Sequence, residues 1–490
     1  MSDFVIKQLP YDLSSQAGLA LIGKHLARIN VNALVDPAFP MRSGVRNSAI
    51  IKSYLALLCQ GKSDFDAIEA FRGDAFFARA MRLDAVPSSP TLRQRMNAHA
   101  ASWFDLVSSI NEALLGSCFA GQPADFGRLP SGHTPLDIDT FAMDQPAGRR
   151  TPQRGGPERS EGFGAAKHNS NTKKELVGRT YAGVDGYCPI ASYLGSAGFC
   201  LELALRPGVQ HSARETEYDL QRVLPMAARL VATPILVRAD SGFCSRALMQ
   251  EIAEQGRALG RRLDFLIKWN RRSAPVEAIA RQKTADHNVL WCHPREGKRL
   301  CVWEQVITID GVSTETLADA PEVPEHEKVV VRRIYCLTER TIDRHGQPLL
   351  LPQYILEGWS TTLPESINAG QVIALYADHA THEQYHSEFK ADLDLERLPS
   401  GKFDTNYLIC QLAAVAMNLL RLIGQQALLG KDAPIRHKAK RRRLKTVMQE
   451  MVYKAARMIR HAGYWILGLG ANDAGFAVFE RHHKSLCAPG

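Results

Sequence analysis

The sequence predicts an α/β protein whose core of strands and helices is interrupted by a β-rich insertion and flanked by helical regions. Three observations lead there. The first 128 or so residues carry apolar side chains at helical spacing, as in "NSAIIKSYLALLCQGKSDFDAIEAF", with few strand signals. From residue 131 the texture changes to short alternating or wholly apolar runs bounded by Gly, Pro and Ser, as where strands meet turns. At 490 residues the chain exceeds the usual single-domain size, so roughly two to four domains with ample core are expected.

Residues 1–128 form the first expected region. Within it "VPSSPTLRQRMNAHA" (86–100) sets Ser and Pro ahead of Thr91 and a basic amphipathic segment, a helix start. Arg93 and Arg95 are candidates to face DNA from a helix-turn-helix-like module. The core begins over 129–269. "TPLDIDTFAMD" (134–144) alternates, with Leu136 and Ile138 on one face and Asp137, Asp139 and Phe141 on the other. "YCPIASYL" and "FCLELALR", joined by "GSAG" (195–198), read as a hairpin. A helix follows over about 213–230. "TPILVRADSGFC" (233–244) is an apolar strand ending in Asp-Ser-Gly, which places Asp240 at its carboxyl end, and "LDFLIKW" (263–269) is one more strand. Residues 145–168, rich in Gly, Pro and Arg, are expected to be a disordered surface loop. The β-rich insertion spans 270–371. The core resumes over 372–430 with a helix at 376–390, and a basic helical region closes the chain over 431–490.

A composition of 45% hydrophobic and 23% charged residues is that of a soluble globular protein. The N-terminus lacks a basic segment followed by an apolar run, and no stretch is read as a membrane span, so a cytoplasmic location without membrane association is expected. The ten cysteines are scattered singly with no CxxC pair, and they read as reduced. Net charge is +9, concentrated in "RHKAKRRRLK" (436–445) and, to a lesser degree, in "RRLDFLIKWNRR" and "NTKKELVGRT". A polyanion is the natural partner of such a chain. Arg441, Arg442 and Arg443 in the first run, and Lys173 and Lys174 in the last, are candidate phosphate contacts.

The stretch "YADHATHEQYHSEFK" (376–390) is the most informative. At about 100° per residue, Tyr376, His379, Glu383 and Lys390 fall within about 60° of one another, while Glu388 falls on the far side. A solvated polar stripe has the same pattern. The pairing with the strand acids argues for a site: Asp139, Asp240 and Glu383 come from three elements. Clustered carboxylates repel, and divalent metal is the usual remedy. Mg²⁺ needs few protein ligands, and two such ions suit phosphoryl displacement. Alternation does not separate Asp137 from Asp139, and Asp144 is a further candidate for the first ligand.

The order strand, hairpin, helix, strand, with an acid on the first strand, an acid on the fourth and a glutamate on a later helix, resembles the ribonuclease-H-like core of DDE transposases. The stripe Tyr376, His379, Glu383, Lys390 looks like the Y-(2)-R-(3)-E-(6)-K signature of cut-and-paste bacterial insertion-sequence transposases. "LDIDT", "LRPGVQHS" and "VRADSGFC" look like the insertion-sequence thirteen-eighty group. The resemblance implies a metal-binding triad of Asp139, Asp240 and Glu383 with two Mg²⁺ ions, Mn²⁺ being an alternative. It implies that Tyr376, His379 and Lys390 hold the DNA backbone near the scissile phosphate, with terminal inverted repeats and target DNA as partners. A homodimer on DNA and a bacterial, nucleoid-associated location are further implications. Two departures stand out. His379 replaces the arginine of the signature, losing its bidentate fork, and the segment 145–168 follows the first catalytic strand. The rival readings are a nuclease of the same core without strand transfer and an inactive, transposase-derived DNA-binding protein.

Overall fold

The computed structural model describes residues 6, 8, 10–118, 126–145, 174–272, 274–309, 328–435 and 437–487. The expectations for 146–168 and for Lys173 lie outside these residues.

The architecture is mixed α/β, built on a nine-stranded sheet. In chain order its strands are β1 (Thr134–Thr140), β2 (Ile190–Leu194), β3 (Phe199–Ala204), β4 (Ile235–Ala239), β5 (Leu263–Lys268), β6 (Cys292–Arg295), β7 (Lys298–Ile309), β8 (Val329–Ile342) and β9 (Pro348–Thr361). They lie in the order β6-β7-β8-β9-β5-β4-β1-β2-β3. Only β1–β4 and β4–β5 are parallel; the other neighbours are antiparallel. The central strands are buried along both faces, which is why "PILVRA" reads as a continuous apolar run rather than an alternation. The strands expected over 270–371 are present, but β9 pairs with β5 through Trp359–Lys268, so they extend the central sheet.

Helices α1 (Asn47–Leu58), α2 (Ser89–His99), α3 (Phe104–Cys118), α4 (Thr216–Leu230), α5 (Arg246–Leu259), α6 (Ala369–Ala377), α7 (His382–Ser387) and α8 (Phe403–Ala427) surround it. The helix start read at 88–91 is present: Ser88 caps α2 by accepting the Thr91 N–H. Helix α8 corrects the expectation that no stretch has the length and apolarity of a membrane span. It meets that test by length and composition, and 94% of its most apolar window is buried inside the protein. It packs against α3 and β3, and one apolar core joins the N-terminal helices, the sheet and α8.

A β-bulge fixes that packing. Ser192 pairs with Glu202 but Tyr193 with Cys200, which leaves Leu201 without a partner residue. Two buried asparagines take up the backbone groups around it. Asn111 Nδ2 donates to the carbonyls of Cys200 and Leu201, and Asn418 both accepts the Cys200 N–H and donates to its carbonyl. Asn418 also donates to Asn111, at 2.8 Å, so α3, α8 and β3 are tied at one point.

The C-terminal region also differs from its expected helical form. It contains a hairpin, β10 (Ala456–His461) and β11 (Tyr464–Leu469), with β10 pairing Leu13–Ser14 near the other end of the chain. Ala462 and Gly463, both at positive φ, make its two-residue turn.

Candidate active site

Strand β1 offers two acids on one face, and the structure separates them. Asp137 is bound bidentately by Arg238 of β4, at 2.6 and 2.8 Å, and both side chains are buried. A buried guanidinium needs such a partner, so Asp137 is committed to the sheet. Asp139 has no arginine partner among the described residues. Its Oδ1 accepts the Thr140 N–H, and its Oδ2 faces a later helix. Asp144 is exposed in a separate three-stranded sheet.

Asp240 follows β4 directly. The register of parallel β1 and β4 runs to Ile138–Ala239, so Asp139 and Asp240 are the next residues at the carboxyl ends of adjacent strands. This is where ligands enter open α/β sheets. Asp240 caps a turn at Ser241–Phe243 by accepting the Gly242 N–H at 2.8 Å. Burial, and then the charge of Asp139, raise its pKa above the usual carboxylate value. The two acids therefore feel each other.

Glu383 arrives on α7, and its side chain is 76% exposed. Docking of α7 is set by Tyr385, whose ring packs on Gly198 in the β2–β3 turn and whose hydroxyl donates to the Ser196 carbonyl. Gly198 is at φ +71, and a Cβ there would overlap the Tyr385 ring. His386, with Nδ1 3.8 Å from Glu383 Oε2, holds the Glu383 carboxyl below its usual pKa, and His382 and Lys390 act in the same direction.

The segment 376–390 is not one regular helix, which corrects the single stripe expected there. Helix α6 ends at Ala377, a 3₁₀ turn covers Asp378–Thr381, and after α7 a π turn covers Glu388–Asp392. The changes of pitch rotate side chains away from a uniform 100° per residue. His379 turns inward: it is 2% exposed, its Nε2 lies 3.8 Å from Asp137 Oδ1, and burial lowers its pKa to about 4. Tyr376 is half-buried between Trp359 and His379, and burial, Asp240 and Asp139 raise its pKa. Lys390 lies over the Phe141 ring at 5.5 Å.

The other basic candidates have partners of their own. Arg441 donates to buried Glu388 at 2.7 Å, beside Arg421 on the same carboxylate. Arg442 is buried and donates to the Leu428 carbonyl, while Arg443 grips Asp392. Arg441, Arg442 and Arg443 thus anchor the π turn and α8, with the buried acids Glu388 and Asp392 holding Arg441 and Arg443. Arg95 donates to Asn47 Oδ1 at 2.7 Å and Lys174 to Gln145 Oε1 at 2.6 Å; Arg93 stays half-exposed, 3.6 Å from Asp66.

Sequence reasoning missed two histidines. His382 Nε2 is 2.6 Å from Asp139 Oδ2; although burial lowers its pKa, the Asp139 hydrogen bond leaves it raised. His386 stacks on Phe141 at 4.4 Å, with Nδ1 3.8 Å from Asp139 Oδ2. Both are visible in "HATHEQYH", where histidines recur at spacings of three and four. Ligand atoms of Asp139, His382 and Glu383 lie within 4.8 Å of one another, a donor set that fits a divalent cation. Asp240 is beside this group and not within it.

A family model described as "Transposase DDE domain group 1" matches residues 168–487. No curated protein matches the sequence. Among solved structures, the chain is similar to one titled "Cryo-EM structure of piggyBac transposase synaptic complex with hairpin DNA (SNHP)". That similarity has a TM-score of 0.33 and 10% identity, covering 97% of this chain and 83% of the other.

Proposed function

Because this chain belongs to the group 1 transposase DDE domain family, we propose that it is a cut-and-paste DNA transposase of the insertion-sequence thirteen-eighty type, with a ribonuclease-H-like core. It would bind terminal inverted repeats, hydrolyse phosphodiester bonds at them and transfer the freed strands to target DNA. The observation that carries this reading is the juxtaposition of Asp139 and Asp240 at the carboxyl ends of adjacent parallel strands, with Glu383 brought toward Asp139 by α7.

Asp139, Asp240 and Glu383 are the residues to hold two Mg²⁺ ions, or Mn²⁺. Such ions, when bound, supply Lewis-acid stabilisation of charge on the phosphoryl oxygens. The chain itself fixes the acids. The Thr140 N–H orients Asp139 and the Gly242 N–H orients Asp240. Preset carboxylates cost less reorganisation at the moment of reaction. Water would attack phosphorus at the element's end and displace the 3′ oxygen, and the freed 3′ hydroxyl would then attack a target phosphorus and displace the 3′ oxygen there, with no covalent protein intermediate. Tyr376, whose hydroxyl feels the charges of Asp240 and Asp139, and Lys390, whose charge reaches Glu383, are the signature members to hold the DNA backbone, and exposed Glu383 marks the side from which DNA would approach.

The test is direct. Purified protein is mixed with Mg²⁺ and DNA carrying the element's own ends. The wild type is expected to nick the ends, leaving 3′ hydroxyls, while Asp240→Asn binds the ends without nicking. Binding without nicking by the wild type would instead support an inactive DNA-binding descendant, and nicking without end-specific binding a nuclease.

A further inference from the structure

His382 stands outside the three acids, yet it has the surroundings of a metal ligand. Its Nδ1 faces the carbonyl oxygen of His379, in the 3₁₀ turn before α7, and its Nε2 is directed at Asp139 Oδ2. A ligating histidine donates its second ring N–H to a carbonyl or carboxylate, and this bond fixes the tautomer and the ring plane. The His379 carbonyl is that acceptor. Nε2 is then the ring atom presented to the acids. One ligand atom each from Asp139, His382 and Glu383 already lies within 4.8 Å of the others. Donors about 2.0–2.2 Å from one ion lie about 3–4.4 Å apart, so the His382–Asp139 hydrogen bond opens slightly and the widest pair closes slightly to gather the set.

A second observation points the same way. His386 has only 3% of its side chain exposed, and neither ring nitrogen has a hydrogen-bond partner among the described residues. Its Nδ1 is aimed at Asp139 Oδ2 and Glu383 Oε2, each 3.8 Å away. A buried polar side chain in this state calls for a physical account, and here the two nearest carboxylates are the ones that would share the ion.

We infer that His382 Nε2 ligates a divalent cation together with Asp139 and Glu383, and that this nitrogen biases the centre toward Mn²⁺ over Mg²⁺. The inference rests on the metal centre of the proposed function and adds a ligand to it. Mg²⁺ takes oxygen donors and keeps its waters, whereas imidazole suits transition-metal ions. One nitrogen among carboxylates therefore shifts selectivity without excluding Mg²⁺.

The experiment uses the full-length chain stripped of metal and titrated with Mn²⁺, with the free ion followed by electron paramagnetic resonance and Mg²⁺ as competitor. Electron spin-echo modulation on the bound Mn²⁺ reads directly coordinated ¹⁴N. The wild type is expected to show ¹⁴N coupling. In His382→Gln the coupling disappears and Mn²⁺ binding weakens about tenfold or more, while Mg²⁺ binding changes much less. In His386→Gln the coupling persists. Absence of ¹⁴N coupling in the wild type overturns the inference without recourse to any variant. Mn²⁺ binding lost in Asp139→Asn but unchanged in His382→Gln overturns it alone. Mn²⁺ bound equally by the wild type, Asp139→Asn and His382→Gln overturns it together with the metal centre proposed above.

Discussion

Asp137 and Asp139 are two residues apart on one strand and differ in what removing them does. Asp137→Asn leaves the Arg238 guanidinium buried beside a neutral partner, so a loss of about 3–5 kcal/mol is expected in urea unfolding. Asp139→Asn leaves no buried guanidinium unpaired but takes the charged acceptor from His382, so a smaller loss of about 1–2 kcal/mol is expected, together with loss of metal-dependent cleavage. Equal destabilisation by the two would contradict the division of roles. Alternation placed both acids on one face and could not choose between them, because the deciding partner, Arg238, is 101 residues away and reaches Asp137 only through the parallel register of β1 and β4. Asp240 was easier to read, since a strand ending in Asp-Ser-Gly puts its carboxylate at the sheet edge whatever its neighbours. The partners of Arg441 and Arg443 were not legible: Glu388 and Asp392 reveal themselves as buried acids only once the π turn is formed.

Among the elements, the short helix α7 depends on a turn nearly two hundred residues earlier. Gly198→Ala places a Cβ against the Tyr385 ring at a backbone conformation costing a non-glycine residue about 1–2 kcal/mol. The expected outcome is a protein destabilised by at least that amount in chemical unfolding, whose residual folded fraction cleaves poorly because Glu383 is displaced. The bulge clamp gives a second test. Asn418→Leu strips the partners of the Cys200 N–H and of Asn111 Oδ1, while the Cys200 carbonyl keeps Asn111 Nδ2, so a loss of about 1–3 kcal/mol is expected in the same measurement. The strands of β1–β9 were legible because alternation and Gly/Pro punctuation are local. The 376–390 segment was legible as helical but not in its facing, since 3₁₀ and π turns shift the angular position of each later residue. The β10–β11 hairpin had a signal in "RMIRHAGYWILGLG", where alternation surrounds Ala-Gly, but the basic run before it drew the reading toward a helix.

For the whole molecule, helices near the two ends of the chain meet, and their contact makes stability fall in acid. His25, on the helix Leu19–Arg28, and His482, on the helix Phe476–Ser485, face each other with Nε2 atoms 3.4 Å apart. Burial lowers His25 to about 3 and His482 to about 4, with the opposite imidazole and Arg28 adding to the first and Arg481 and His483 to the second. Below the unfolded value of 6.5 the unfolded chain binds protons that the folded chain refuses, so stability is present above that pH and is lost as pH falls toward 4. For His482 the loss at pH 5 is about 2 kcal/mol, and His482→Gln should flatten the fall in melting temperature between pH 7 and pH 5 by a corresponding amount. An unchanged slope would contradict the assignment. Joined ends, one apolar core and one sheet bring Asp139, Asp240 and Glu383 to the same edge from three distant parts of the chain. The measurement that tests this most directly is excision, in cells, of a marker flanked by the element's own ends. The wild type should excise the marker, and Asp139→Asn, expressed and folded to the same level, should not. Excision by Asp139→Asn at the wild-type rate would show that the acids at the ends of β1 and β4 are not the reaction centre.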